Sequence, residues 1–276
     1  LPRFKQMLAD LARGEKEAAD RLYEKGPPVP GVKTIEGSPE GGLRWRLHMN
    51  PGPTTRPDRL IIWLHPSGGS MNGTVEPLAT EFVKRGYALL VPTAKDWRGW
   101  SDVDSRKLLD RTLPDVAKVK GVNVDRPILF GFSAGGQLAI ILWRQSPEKY
   151  GGLVLDAAYP VVPDATKGGY ALLSPPASPA VKDCPFFVLV GDQDGGANAW
   201  RLAEEPFSKA GVPVVVHYIP GQGHAWLFGG AQRDKLYAWL SDIAAGRKPG
   251  EPVESPPGNA PTTRPDRGPI RLKDVY

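Results

Sequence analysis

Apolar positions along the chain fall into two alternating rhythms. The runs 59–65, 87–92, 128–132, 152–156, 186–191 and 213–219 are short, continuous and bounded by glycine, proline or charge. That is the pattern of parallel strands covered on both faces. Residues 42–50 alternate instead, as a strand does with one face buried. Helical spacing fills the intervals. It covers 76–85 before Gly86, 105–120 before Gly121, 137 to about 144, 198–210 and 233–245. Strands alternating with helices predict an α/β protein built on a doubly wound, mostly parallel sheet with helices on both faces. Such sheets place their ligands beyond the carboxyl ends of the strands.

The two ends of the chain break this rhythm. Phe4, Met7, Leu8, Leu11, Ala18, Leu22 and Tyr23 recur at near-helical spacing, weakened at Gly14 and stopped by Gly26-Pro27-Pro28. We therefore expect an amphipathic helix and linker over 1–30, an α/β domain over 31–246 and a Pro/Gly-rich tail of little regular structure over 247–276. The heptapeptide Pro-Thr-Thr-Arg-Pro-Asp-Arg occurs at both 53–59 and 261–267, and nothing in the chemistry explains the repeat.

Composition narrows the classes further. The 276 residues carry a formal charge of +5, spread along the chain with no basic arm, which argues against a nucleic-acid partner. No apolar run reaches the ~20 residues of a membrane span. The lone Cys184 excludes an intramolecular disulfide and, beside an apolar run, reads as a small buried residue. The first residues lack the apolar core of a signal peptide. That leaves the compartment open, with a secreted or periplasmic protein favoured, as a monomer or weak homo-oligomer.

The chemistry concentrates at 127–136. There the run Pro-Ile-Leu-Phe ends abruptly in Gly131-Phe132-Ser133-Ala134-Gly135, and a helical segment follows at once. A G-x-S-x-G turn between strand and helix holds a serine hydroxyl out at the end of a sheet. Serine needs a base to become a nucleophile, and the base needs an orienting acid. Among the four histidines, His48 and His217 lie inside strands and read as structural. His65 ends a strand in His65-Pro66-Ser67-Gly68-Gly69 and reads as a framework residue. His224, in the loop Pro220-Gly221-Gln222-Gly223-His224, is the candidate base. The acid should follow a strand between Ser133 and His224, as Asp194 or Asp192 does, with Asp156 as the outsider. An oxyanion site needs two backbone N–H groups. Ala134 supplies one, and Ser67 or Gly68 the other.

The order Ser133, Asp194, His224, with His-x-Ser-Gly-Gly upstream, resembles the α/β-hydrolase superfamily. The segment Val124 to Gly136 is similar to its polyhydroxybutyrate-depolymerase, feruloyl-esterase and acetyl-xylan-esterase group, and the likeness spans about 42–245. The resemblance implies an α/β-hydrolase fold and a serine hydrolase that cleaves carboxylic esters without metal or organic cofactor, with a serine peptidase or thioesterase of the same fold, or a non-catalytic binding protein that keeps the fold, as the alternatives. Its substrate would be a small-molecule or polysaccharide-linked ester, feruloyl or acetyl. Residues 159–183, rich in Pro and Gly, are too short for a large lid. Trp97, Trp100, Tyr159 and Trp226 fall on loops at the site end, where aromatics can stack on sugar or phenolic rings, so they are the expected substrate contacts.

Overall fold

A computed structural model describes residues 26–53, 55–94, 99–163, 170–247 and 249. The helix expected over 3–25, Trp97 and nearly all of the 247–276 tail lie outside the described residues. Among the described residues ten strands form: β1 Lys33–Gly37, β2 Arg44–Met49, β3 Asp58–Leu64, β4 Tyr87–Thr93, β5 Val122–Phe132, β6 Gly152–Asp156, β7 Val161–Pro163, β8 Tyr170–Leu172, β9 Phe186–Gly191 and β10 Val214–Ile219. Eight of them make one sheet in the order β1-β2-β4-β3-β5-β6-β9-β10. Only the two pairings that involve β2 are antiparallel. The others are parallel, as the continuous apolar runs predict.

The helices are α1 Asn72–Val75, α2 Ala79–Val83, α3 Asp102–Lys107, α4 Leu113–Val116, α5 Ala134–Gln145, α6 Gly196–Ala210 and α7 Gly230–Ala244. Two predicted helices are broken, and proline explains both. The 76–85 helix forms as a 3-10 turn, Glu76–Leu78, around Pro77 followed by α2, and α1 precedes the predicted span. The 105–120 helix starts earlier, at α3. There Ser101 Oγ accepts from the Asp104 N–H at 3.2 Å while Asp104 Oδ2 accepts from the Ser101 N–H at 3.2 Å. It then widens into a π turn over Leu108–Thr112, because Pro114 has no N–H to give to the residue four back, and resumes as α4. Strand β1 was not legible as a run. Ile35 is its only apolar residue, and it lies along the edge of the sheet.

Alternate strand residues face two separate cores. One holds Ile62, Leu64, Leu129, Leu155 and Val188 against Trp143, Trp200 and Phe207. The other holds Ile61, Trp63, Phe130, Val154 and Phe187 against Phe82, Phe228 and Trp239. Each such side chain contributes about 1.5–3 kcal/mol on burial, so the central strands are pinned from both sides. Cys184 lies in the first core, fully buried after a 3-10 turn at Pro179–Asp183, and burial pushes its thiol far above the ordinary value. His48 is buried on β2 with Nδ1 at 2.9 Å from Thr34 Oγ1, and His217 packs on Phe187; both sit in strands, as expected.

Register is what builds the site. Leu64 pairs with Gly131, Phe132 with Asp156, Asp156 with Leu189, and Ile219 with Gly191. The carboxyl ends of β3, β5, β6, β9 and β10 therefore finish side by side. Between β6 and β9 the described residues form only the β7–β8 hairpin and the 3-10 turn; no long helix covers this end. No helix among the described residues is long and apolar enough to cross a membrane.

Candidate active site

Strand β5 runs into α5 through Ser133, whose backbone sits at φ 51, ψ −118. A non-glycine residue is strained there by about 1–3 kcal/mol, so the surroundings must hold it. They do so through the Ser133 N–H, which donates to the Asp156 carbonyl at 2.9 Å, and the Gln137 N–H, which donates to the Ser133 carbonyl at 3.0 Å. The flanking glycines allow the close approach. A Cβ on Gly135 would run into the Leu64 carbonyl, and one on Gly131 into the backbone of Gly135 and Gly136.

The structure brings Ser133, His224 and Asp194 together. His224 Nε2 lies 3.0 Å from Ser133 Oγ, and His224 Nδ1 lies 3.0 Å from Asp194 Oδ2. An ionised carboxylate only accepts, so Nδ1 carries the proton and Nε2 presents its lone pair to the serine. Asp194 is almost wholly shielded, with its side chain 6% exposed, whereas that of His224 is 46% exposed. Phe132, the residue before the serine, stacks on the imidazole at 5.7 Å and 25°.

The other two acids serve elsewhere. Asp192 is exposed, and its Oδ1 accepts from the Gly221 N–H at 2.8 Å, which closes the loop that leads to His224. Asp156 is fully buried. Its Oδ2 accepts from the Leu227 N–H at 3.0 Å, while its Oδ1 has no partner among the described residues. Burial pushes this carboxyl well above the ordinary value of 3.8, and the nearby charge of Asp194 adds to the shift.

The side chains of Ala134 and Ser67, the residues of two oxyanion candidates, lie on either side of Gly99. A Cβ on Gly99 would stand 3.2 Å from Ala134 Cβ and 3.3 Å from Ser67 Oγ, so the first turn of α5 and the loop after β3 meet across Gly99. His65 shapes that loop from within. It is fully buried, its Nδ1 lies 2.8 Å from the Pro66 carbonyl, and its Nε2 accepts from the Ala94 N–H at 3.3 Å. Burial holds this histidine below its ordinary value, so the ring stays neutral.

The aromatic candidates part company. Trp100 donates from Nε1 to the His65 carbonyl at 2.9 Å, lies over the His65 ring at 4.7 Å and walls a cleft of about 470 Å³. That cleft starts at Ala134 and runs along α5, with Leu109, Arg106, Ile141 and Gln145 among its walls. Tyr159 does not face the cleft. Its hydroxyl lies 2.6 Å from Asp194 Oδ1 and 2.5 Å from His224 Nδ1. Trp226, partly buried, packs its ring against the second core. It stacks on Phe130 at 6.0 Å and meets Trp63 edge-on at 5.8 Å, and its N–H finds no acceptor among the described residues. The apolar string Trp226-Leu227-Phe228 was the signal that the chain dives inward here. Trp97 lies outside the described residues.

No protein-family model matches the chain, and no curated protein does. Solved structures do. A ferulic acid esterase matches with a TM-score of 0.57 at 17% identity, over 78% of this chain and 97% of that one. A thermostable carboxylesterase cloned from a metagenomic library matches with a TM-score of 0.56 at 19% identity, over 87% and 98%. An esterase from the archaeon Pyrobaculum calidifontis matches with a TM-score of 0.56 at 17% identity, over 88% and 92%. At such identities the likeness is one of fold. The chain has the α/β-hydrolase fold, with the mostly parallel sheet that its sequence predicts.

Proposed function

We propose that this chain is a serine hydrolase that cleaves carboxylic esters through an acyl-serine intermediate, with Ser133 as nucleophile, His224 as base and Asp194 as its orienting acid. The observation that carries the reading is the pair of 3.0 Å contacts, Ser133 Oγ to His224 Nε2 and His224 Nδ1 to Asp194 Oδ2, about a serine held at φ 51. His224 takes the hydroxyl proton as Ser133 attacks the ester carbonyl. The carbonyl oxygen becomes an oxyanion between the N–H groups of Ala134 and Ser67. Collapse expels the alcohol, which leaves with the proton held on His224. Water, deprotonated by the same imidazole, then attacks the acyl-serine, and its collapse frees the acid and restores the serine hydroxyl.

The cleft beside Ala134 is the binding site in this reading. Trp100 and Leu109 offer apolar area for an acyl group or ring, and Arg106 and Gln145 offer polar contacts to an alcohol portion rich in hydroxyls. Small esters and the feruloyl or acetyl esters of plant polysaccharides fit that lining. The test is hydrolysis of p-nitrophenyl acetate, methyl ferulate and acetylated xylan, together with labelling by a fluorophosphonate. Ser133→Ala should abolish the labelling and lower turnover by roughly four to six orders of magnitude. A Ser133→Ala protein that retains full activity overturns the assignment.

A further inference from the structure

A phenol joins the acid and base of this site. Asp194 Oδ1, the oxygen turned away from the imidazole, lies 2.6 Å from the Tyr159 hydroxyl and accepts from the Gly196 N–H at 3.2 Å. The same phenol oxygen stands 2.5 Å from His224 Nδ1. Tyrosine has one proton to give, and the carboxylate is the stronger acceptor, so the O–H donates to Asp194. The Nδ1 proton of His224 then has two acceptors, Asp194 Oδ2 and the phenol oxygen. The three groups close a ring of hydrogen bonds in which no member can rotate without breaking two of them.

Two further features hold the phenol in place. Gly196 supplies the room, because a Cβ there would overlap the Tyr159 ring. Gln137, on the first turn of α5, fastens the loop. Its Oε1 accepts from the Tyr159 N–H at 2.9 Å, and its Nε2 donates to the Val161 carbonyl at 3.1 Å. Since the Gln137 N–H also holds the Ser133 carbonyl, the serine turn and the tyrosine loop are tied to one residue.

We propose that Tyr159 is a positioning residue for the acid–base pair, bonded at once to Asp194 and His224, and that Gln137 locks it to the nucleophile turn. This rests on the serine-hydrolase reading above for its kinetic consequences but not for its spectroscopic one. Tyr159→Phe keeps the ring and deletes the bonds. In the variant, kcat should fall about ten- to a hundredfold, at or below the lower end of what a general acid–base group itself contributes, with KM within about twofold. The fluorophosphonate should label Ser133 more slowly by a similar factor. The His224 Nδ1–H resonance, read by proton NMR on the ligand-free protein, should shift as one of its two acceptors, and one of the donors to Asp194, is lost. Gln137→Ala, which leaves the phenol present but its loop unfastened, should shift kcat and the resonance the same way by less. It also serves as the second variant if Tyr159→Phe folds poorly.

An unchanged Nδ1–H resonance in a folded Tyr159→Phe protein overturns the proposal, whatever the activity. A raised KM at unchanged kcat also overturns it, and makes Tyr159 a substrate contact instead. A wild-type protein with neither esterase activity nor labelling overturns the hydrolase reading, while the resonance still decides the role of Tyr159.

Discussion

Strands β6 and β9 are neighbours in the sheet, and an acid stands at or just beyond the carboxyl end of each, yet the two acids sit in opposite surroundings. Asp156 is the last residue of β6 and is sealed from water, with one backbone N–H for a partner and a carboxyl that burial keeps protonated far above the usual range. Asp194 lies three residues past the end of β9, where Tyr159, Gly196 and His224 all stand within hydrogen-bonding reach of its two oxygens. Loop geometry makes the difference. A residue still in the strand points into a packed layer, whereas one on the turn beyond it reaches the open end of the sheet. The buried acid braces the loop that carries the histidine, through the Leu227 N–H, and the other meets the histidine itself.

The largest effect should separate the two acids by activity. Asp194→Asn should cost about 10⁴-fold in kcat, because an amide can hold the imidazole in the wrong tautomer, whereas Asp156→Asn should stay within about threefold of wild type. Equal losses in both variants would erase the distinction. A smaller effect concerns stability against pH. Asp156 binds its proton more tightly folded than unfolded. Between its ordinary value of 3.8 and its raised folded value, the folded state therefore holds the extra proton. Wild-type stability should thus fall as pH rises through that window, by at most about 1.4 kcal/mol per pH unit from this group. Asp156→Asn removes the term. In urea titrations from about pH 4 upward it should gain on wild type as pH rises, and parallel curves would place the proton elsewhere. The smallest effect is expected at Trp226. Among the described residues its N–H has no acceptor to lose, so Trp226→Phe should leave KM unaltered, whereas a several-fold rise in KM would return it to the substrate site.

The same contrast marks how far the chain could be read from its letters. Apolar runs located every parallel strand of the main sheet, because burial on both faces leaves no polar positions to blur them. Ser133, Asp194 and His224 were legible because tight turns demand glycine, and glycines bracket each of them. Strand β1 escaped because an edge strand with a single apolar residue, Ile35, carries almost no periodic signal. The short hairpin β7–β8 escaped for want of length. Tyr159 was noticed as an aromatic near the site, but which way its hydroxyl turns depends on Gly196, far along the chain. Gln137 was missed outright, although a lone amide among Ala, Gly, Leu and Ile on the first turn of α5 was a legible oddity. Phe132 was passed over as a spacer in the motif, although it faces the imidazole.

Cys184 offers a last consequence. As the chain's single thiol, shut inside the first core and held protonated there, it meets an aqueous disulfide reagent only when that half of the molecule opens. Its labelling rate in native buffer is therefore a clock for spontaneous opening. Rates that stay near zero until urea approaches the unfolding midpoint would mean that the layer behind Trp143 and Phe186 moves as one cooperative block, while early labelling would mark it as the first part to come apart.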